Sequence, residues 1–128
     1  MFIERRIHKS IENHLKERSI TVITGMRRVG KTTLIKKILE DIQSANKAYV
    51  DLEKITNRVI FDEKNYDNVL VLLAQDFNVS FKEKAYIAID EIQLSPNITS
   101  VLKYLYDHND IKFIVTGSSS FYIGPTQK

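Results

Sequence analysis

The sequence contains no cysteine, only four glycines and two prolines, and no long hydrophobic run. Without cysteine there is no disulfide framework, thiolate zinc site or cysteine nucleophile, which suits a reducing compartment. The longest purely apolar run, Val69 to Ala74, has six residues, and a membrane helix needs about 18 to 20. The charged start, Met1 to Arg6, lacks the apolar stretch that follows in a secretory signal. We therefore expect a cytoplasmic protein that does not enter a membrane.

The composition favours one compact domain or a piece of one. The chain has 128 residues, of which 43% are apolar and 27% charged, as in ordinary globular domains. A chain of this length buries roughly two-thirds of its unfolded surface, which is enough for a single core. The net charge of +3 is mild, and the positive charges are spread over several segments. Nucleic-acid binding is therefore permitted but not implied.

Hydrophobic periodicity predicts alternating helices and strands. Apolar residues recur at every fourth position over about residues 2–17, which is typical of an amphipathic helix. Short apolar and β-branched runs predict strands at about 20–24, 48–52, 85–89 and 111–115. Helical spacing predicts helices at about 31–44, 66–77 and 98–105, whereas residues 53–64 show no clear pattern. This order indicates an α/β fold with a parallel sheet and helices on both of its faces.

The first strand leads into a loop with a phosphate-binding pattern. Residues 25–32, GMRRVGKT, contain two glycines separated by four residues and followed by Lys and Thr. The glycines let the backbone curl so that its amides point at phosphate oxygens, and the following helix adds its positive dipole end. Lys31 is predicted to reach the β- and γ-phosphates, and the Thr32 hydroxyl to ligate Mg²⁺. The alternative is an ordinary strand-to-helix turn rich in Lys and Arg.

The third strand ends in two carboxylates, Asp90 and Glu91. Ligands bind at the carboxyl ends of parallel strands, so we expect Asp90 on the same sheet edge as Lys31. Asp90 is predicted to hold Mg²⁺ through its water shell, and Glu91 to polarise the water that attacks the γ-phosphate. A solvated strand end explains the same residues without a function.

The last strand ends in Thr116-Gly117-Ser118. If this strand lies between the first and third, a hydroxyl of Thr116 or Ser118 is predicted to hydrogen-bond the γ-phosphate or the attacking water. A serine-rich turn that leaves the sheet explains the segment equally well.

Three segments together resemble the P-loop NTPases that carry a catalytic Glu beside the Asp, specifically the predicted AAA-type ATPases of bacteria and archaea. They are GMRRVGKTTL at 25–34, YIAIDEIQ at 86–93 and IKFIVTGSSS at 111–120. The resemblance covers about residues 2–121 and implies a three-layer α/β core that binds ATP and Mg²⁺. The residues it implies for nucleotide binding are Gly25, Met26, Arg27, Arg28, Val29, Gly30, Lys31, Thr32 and Thr33. Met26 stands where relatives often have Pro, which alters loop stiffness but no phosphate ligand.

The resemblance implies Mg-dependent ATP hydrolysis, with Lys31, Glu91, Thr116 and Ser118 as catalytic residues and Thr32 and Asp90 at the metal. ATP is favoured over GTP because the nearest string to Asn-Lys-X-Asp, at 46–49, lacks the acid. Two alternatives stay open. One is a small-molecule kinase, which shares the phosphate loop but needs a lid and a substrate site. The other is a switch module that binds ATP without turnover.

Relatives of this type continue into a fifth strand beside the first, a helical part with a nucleotide-sensing arginine, and a separate C-terminal domain. None of these follows Lys128. We therefore expect residues 1–128 to be the ATP-binding N-terminal part of a longer protein, with an incomplete sheet of four strands. The first strand then forms a sheet edge, which is prone to pairing with another chain.

We expect the N-terminal helix or a second copy of the chain to cover that edge. Backbone amides of residues 20–24 should then exchange slowly with solvent, because they are shielded. Hydrogen exchange together with light scattering measures this. A monodisperse monomer with fast exchange along 20–24 would contradict the expectation.

Overall fold

The computed structural model describes residues 20–24 and 28–118. The elements in chain order are β1 (Ile20–Ile23), α1 (Arg28–Asp41), β2 (Lys47–Asp51), α2 (Ile55–Ile60), α3 (Tyr66–Phe77), β3 (Ala85–Asp90), α4 (Ile98–His108) and β4 (Ile111–Thr116). A single 3₁₀ turn, Ile92–Leu94, lies between β3 and α4. The helix predicted over 2–17 and the loop residues 25–27 lie outside the described residues.

The four strands form a parallel sheet in the order β1-β4-β3-β2. The predicted fold class is therefore confirmed. The last strand lies between the first and the third, which is the condition set above for a role of Thr116 or Ser118. In the register, Ile23 lies opposite Thr116, and Asp51 lies opposite Asp90. The polar ends of the strands consequently meet at one edge of the sheet.

Helices pack on both faces of the sheet because successive strand residues point to opposite faces. On one face, Leu34 and Ile35 of α1 pack against Ala88 and Ile114. The other face carries the larger core, where α3 and α4 cover the sheet; its members include Val50, Val69, Leu73, Ile87, Val101, Leu105 and Phe113. All of β4 is buried, as expected of a central parallel strand covered on both sides.

Helix boundaries differ most where local preference conflicts with the fold. Helix α1 begins at Arg28, three residues before the predicted start, and ends at Asp41. Gly30 therefore lies inside its first turn, although glycine is unfavourable in helices by about 1 kcal/mol. The segment 53–64, which gave no pattern, contains α2, a short helix on which Ile55 and Val59 are exposed. Of its three apolar residues only Ile60 is buried, so its apolar positions do not mark a core-facing side, which is why periodicity missed the helix.

The side chains of Asn46 and Lys47 form hydrogen bonds that connect the start of β2 to neighbouring segments. Asn46 donates from Nδ2 to the carbonyl oxygens of Ser80 (2.7 Å) and Lys84 (2.9 Å), and its Oδ1 accepts from the Ser80 amide (2.8 Å). Lys47 donates from Nζ to the carbonyl oxygens of Leu39 (2.8 Å) and Ile42 (2.9 Å) at the end of α1. A cation at this position satisfies terminal carbonyls and complements the helix dipole.

The longest described helix, α1, has 14 residues. Within 20–24 and 28–118 no helix combines the length and the apolar character needed to cross a membrane.

Replacing Asn46 by Ala should lower the free energy of unfolding by about 2 kcal/mol, because polar backbone groups of Ser80 and Lys84 lose their partner. Urea unfolding measures this. Asn68→Ala is the control, since Asn68 is exposed and its side chain donates to Oε1 of Glu63 at 3.2 Å in an exposed hydrogen bond. Its effect should stay within about 0.5 kcal/mol. Equal stabilities for the two variants would contradict the role of Asn46.

Candidate functional site

The Asp90 carboxylate is the centre of the site. It lies at the carboxyl end of β3, is 2% exposed, and accepts hydrogen bonds from three hydroxyl groups. Thr32 of α1 and Tyr49 of β2 each donate to Oδ2 at 2.7 Å, and Thr116 of β4 donates to Oδ1. A buried charge needs such donors because its transfer from water is otherwise strongly unfavourable. The hydrogen bonds therefore link α1, β2 and β4 to one carboxylate.

The Thr116 hydroxyl also fixes the backbone of the next residue. It accepts a hydrogen bond from the amide of Glu91 at 2.9 Å, so its own proton is available for Asp90. Glu91 adopts a left-handed conformation, with φ 64° and ψ 52°. A non-glycine residue in this region costs roughly 1–2 kcal/mol, and the bond to Thr116 helps to hold it there. The chain thereby turns sharply at the end of β3.

The Glu91 side chain is held by Gln93, a residue that the sequence patterns did not predict as part of the site. Glu91 is 7% exposed, and its Oε1 accepts from Nε2 of Gln93 at 2.6 Å. Oε1 of Gln93 in turn accepts from the backbone amide of Ser118 at 3.2 Å. Ser118, predicted as a candidate through its hydroxyl, thus reaches the acidic pair through its backbone.

Lys31 is buried, with 5% of its surface exposed, and points towards the end of β4. Its Nζ donates to the carbonyl oxygen of Gly117 at 2.6 Å. Lys31, Thr32, Asp90, Glu91, Thr116 and Ser118 are therefore brought to one edge of the sheet, as their motifs predicted.

The remaining candidates divide into described and undescribed residues. Gly30 is buried within α1, Val29 is 75% exposed, and the exposed Thr33 donates its hydroxyl proton back to the Val29 carbonyl oxygen at 2.8 Å. Gly25, Met26 and Arg27 lie outside the described residues. Arg28 begins α1, and its side chain is likewise not among the described parts of the structure. Most of the phosphate-loop prediction therefore stays a prediction.

A cleft of about 320 Å³ opens beside Asp90 and Glu91. Thr32 and Lys36 of α1 form one wall, Tyr49 and Asp51 the next, and the other lining residues are Glu53, Lys54, Asn57 and Phe77. The Lys36 ammonium lies 4.9 Å from the centre of the Tyr49 ring, within the range of a cation–π contact. The cleft thus adjoins the carboxylate pair and has both apolar and charged walls.

Burial, the hydrogen bond to Asp90 and the nearby carboxylates raise the pKa of Tyr49 above its usual range. The phenol therefore stays protonated at neutral pH and remains a donor. Periodicity gave no sign of this role, because Tyr49 looks like any aromatic residue in a half-buried strand. The register alone reveals it: Tyr49 pairs with Ala88 and shares a sheet face with Asp90.

The chemistry of the donor set fits magnesium. Mg²⁺ prefers oxygen ligands and is usually held by few protein side chains together with phosphates and water. The Thr32 hydroxyl and the Asp90 carboxylate, 2.7 Å apart, are oxygen donors of this kind. Both lie at the end of the sheet where α1 begins, the location at which parallel α/β folds bind phosphates.

Comparisons with known proteins agree with the fold. A family model described as AAA domain matches residues 17–127. The uncharacterised protein MJ1637 of Methanocaldococcus jannaschii is 32% identical over 127 residues, which cover 92% of this chain and 25% of that protein. The chain thus spans about a quarter of the length of this curated relative. The solved Walker-type ATPase PABY2304 of Pyrococcus abyssi has a similar fold, with a TM-score of 0.56 at 17% identity over 91% of this chain and 45% of that one.

Replacing Thr116 by Val should lower the free energy of unfolding by about 3 kcal/mol, because Asp90 loses a donor and the Glu91 amide loses an acceptor while both stay buried. Chemical denaturation at pH 7 measures the loss. Thr116→Ser retains the hydroxyl and should recover most of the stability, and Thr99→Val on α4 is the control. A Thr116→Val chain as stable as the control would show that the hydroxyl is dispensable.

Proposed function

Because this chain belongs to the family of AAA domains, we propose that it binds ATP together with Mg²⁺ and hydrolyses the bond to the γ-phosphate. The observation that carries the proposal is the 2.7 Å hydrogen bond from Thr32 to Asp90. It joins the phosphate-loop motif to the acidic pair, although the two residues are 58 positions apart in the sequence. The phosphate-loop motif has residues suited to bind phosphate and a metal ion, and the acidic pair has residues suited to bind a metal ion and water.

Residues 25–33 form the proposed phosphate-binding segment. Helix α1 begins at Arg28, within this segment, so the amides of its first turn have no partners inside the helix and suit an anion. Lys31 adds a buried cation whose present partner is the neutral Gly117 carbonyl. A phosphate oxygen is a stronger partner for an ammonium group than a carbonyl, because it carries charge. In the proposal, Lys31 therefore exchanges Gly117 for the β- and γ-phosphates.

Thr32 and Asp90 are the proposed metal-binding residues. The Thr32 hydroxyl contacts the ion directly in this proposal, and the Asp90 carboxylate holds its water shell. When bound, Mg²⁺ offsets the negative charge on the β- and γ-phosphates. Tyr49 and Thr116 keep their hydrogen bonds to Asp90 and hold the carboxylate in one orientation.

Glu91 is the proposed general base. It accepts a proton from a water molecule as the water oxygen forms a bond to the γ-phosphorus. The bond between that phosphorus and the bridging oxygen breaks, and ADP leaves with the electron pair. The proton passes from Glu91 to solvent, so the products are ADP and inorganic phosphate. Thr116 and Ser118 are proposed to act beside the γ-phosphate, Thr116 by holding Asp90 and the Glu91 backbone.

Transfer of the phosphoryl group to a small acceptor is a second candidate function. The cleft of about 320 Å³ beside Thr32 and Asp90 favours it, because an acceptor in the cleft would lie close to the proposed γ-phosphate position. The two candidates differ in one product: hydrolysis releases inorganic phosphate without an acceptor, whereas transfer releases little.

The test combines titration calorimetry with a phosphate-release assay on four chains. We expect the wild-type chain to bind Mg·ATP with micromolar affinity, about 8 kcal/mol, and Mg·GTP more weakly. Lys31→Ala should abolish binding, whereas Lys37→Ala should not, because Lys37 is half-exposed on α1 and contacts Glu40 and Asp41. Glu91→Gln should keep ATP binding and lower phosphate release about 100-fold or more.

The outcomes separate the candidates. Release by the isolated chain is expected to be slow, since an arginine completing the site in other NTPases is worth about 10³ to 10⁵ in rate. Equal release by wild type and Glu91→Gln contradicts the role of Glu91, and binding with no release supports a switch. A folded Lys31→Ala chain that binds ATP as tightly as wild type contradicts the whole proposal.

A further inference from the structure

Gln93 lies between the proposed base and the end of β4. Its Nε2 is 2.6 Å from Oε1 of Glu91, and its Oε1 is 3.2 Å from the backbone nitrogen of Ser118. Gln93 is half-buried in the 3₁₀ turn Ile92–Leu94. One amide therefore contacts two residues that lie 27 positions apart in the numbering of the chain.

The donor and acceptor roles in this contact follow from chemistry. A backbone N–H can only donate, so the group of Gln93 that faces Ser118 must be its carbonyl oxygen. The NH₂ group then faces Glu91 and donates to it. Oε1 of Glu91 is therefore the acceptor in this contact.

We propose that Gln93 is a positioning residue for the hydrolysis proposed above: it holds the Glu91 carboxylate in place and connects it to the end of β4. The inference rests on the proposed function, because it gives Gln93 a part in that same reaction. Gln93 acts through Glu91 and does not touch ATP.

Glu91 needs such a partner because its backbone contacts do not orient its carboxylate. The bond from its amide to Thr116 (2.9 Å) fixes the main chain, whereas the side chain still has three rotatable bonds. The donor from Gln93 selects one position for the carboxylate. Small misplacements of a catalytic group lower rates about 100-fold.

The connection to β4 extends to Lys31. Ser118, which donates to Gln93, directly follows Gly117, whose carbonyl oxygen accepts from Lys31 Nζ at 2.6 Å. The proposed phosphate-binding lysine and the proposed base are therefore joined through two consecutive residues and Gln93.

Two substitutions at position 93 separate these contacts. Gln93→Glu is nearly isosteric and keeps an acceptor for the Ser118 amide, but it turns a carboxylate towards Glu91. Gln93→Ala removes both contacts. Gln75→Glu introduces the same charge at an exposed position of α3 and is the matched control.

The kinetic readout is kcat and KM for ATP hydrolysis, together with the Kd of Mg·ATP by calorimetry. We expect both position-93 variants to lower kcat about 10- to 100-fold, with Gln93→Glu at least as low as Gln93→Ala, and Kd within about threefold of wild type. Gln75→Glu should match wild type. Unchanged kcat overturns the proposal. A Gln93→Glu chain that loses ATP binding in parallel with kcat also overturns it, since that result indicates a structural role.

A second readout does not depend on turnover. In ¹H–¹⁵N spectra of the nucleotide-free chain, the side-chain amide peaks of Gln93 are identified by their loss in Gln93→Glu. Glu91→Ala should shift these peaks and the Ser118 backbone peak, and should leave the Gln75 peaks in place. Unshifted Gln93 peaks overturn the proposal even in an active chain. A wild-type chain without turnover contradicts the proposed hydrolysis, and the spectra then decide separately whether Gln93 holds Glu91.

Discussion

The buried carboxylate of Asp90 constrains the elements around it. Helix α1, strand β2 and strand β4 each direct one hydroxyl group to this carboxylate, from Thr32, Tyr49 and Thr116. A buried charge that loses its partners is destabilising by several kcal/mol. Apolar packing brings the helix and strands together without specifying their exact offsets, whereas these hydrogen bonds hold only when all three elements are in register. The charge therefore contributes specificity to a core that hydrophobic burial stabilises.

Lys31 and Asp90, two of the buried charged groups at this edge, both form hydrogen bonds with neutral groups. Lys31 donates to the carbonyl oxygen of Gly117, and Asp90 accepts from hydroxyl groups. Separating two buried opposite charges is more unfavourable than exchanging a neutral partner, because the remaining charge is left uncompensated. A phosphate that replaces Gly117 at Lys31 thus meets a smaller barrier than one that must break an ion pair. This arrangement suits a site that binds and releases its ligands reversibly.

Residue patterns predicted the parallel sheet, its helices on both faces, and the meeting of Lys31, Asp90 and Thr116 at one edge. The sheet and helices follow from hydrophobic periodicity. The shared edge follows from a motif, two glycines four residues apart followed by Lys and Thr, whose spacing is specific to phosphate binding. Tyr49 and Gln93 escaped prediction because their roles depend on which atoms from distant parts of the chain face them in the fold, and one sequence carries no such information. Helix α2 escaped prediction because two of its apolar residues, Ile55 and Val59, are exposed and do not form a core-facing side. The early start of α1 escaped prediction because Gly30, a residue unfavourable in helices, lies inside its first turn.

Lys47 has a consequence for the mechanics of the domain. Its ammonium group holds the last carbonyl groups of α1, while Thr32, near the other end of that helix, is bound to Asp90. Residues of the sheet therefore bind α1 at both ends. A translation of the helix along its own axis would break the bond from Thr32 to Asp90 and the bonds from Lys47 together. A change of ligand at the site is therefore less able to displace α1 along this axis.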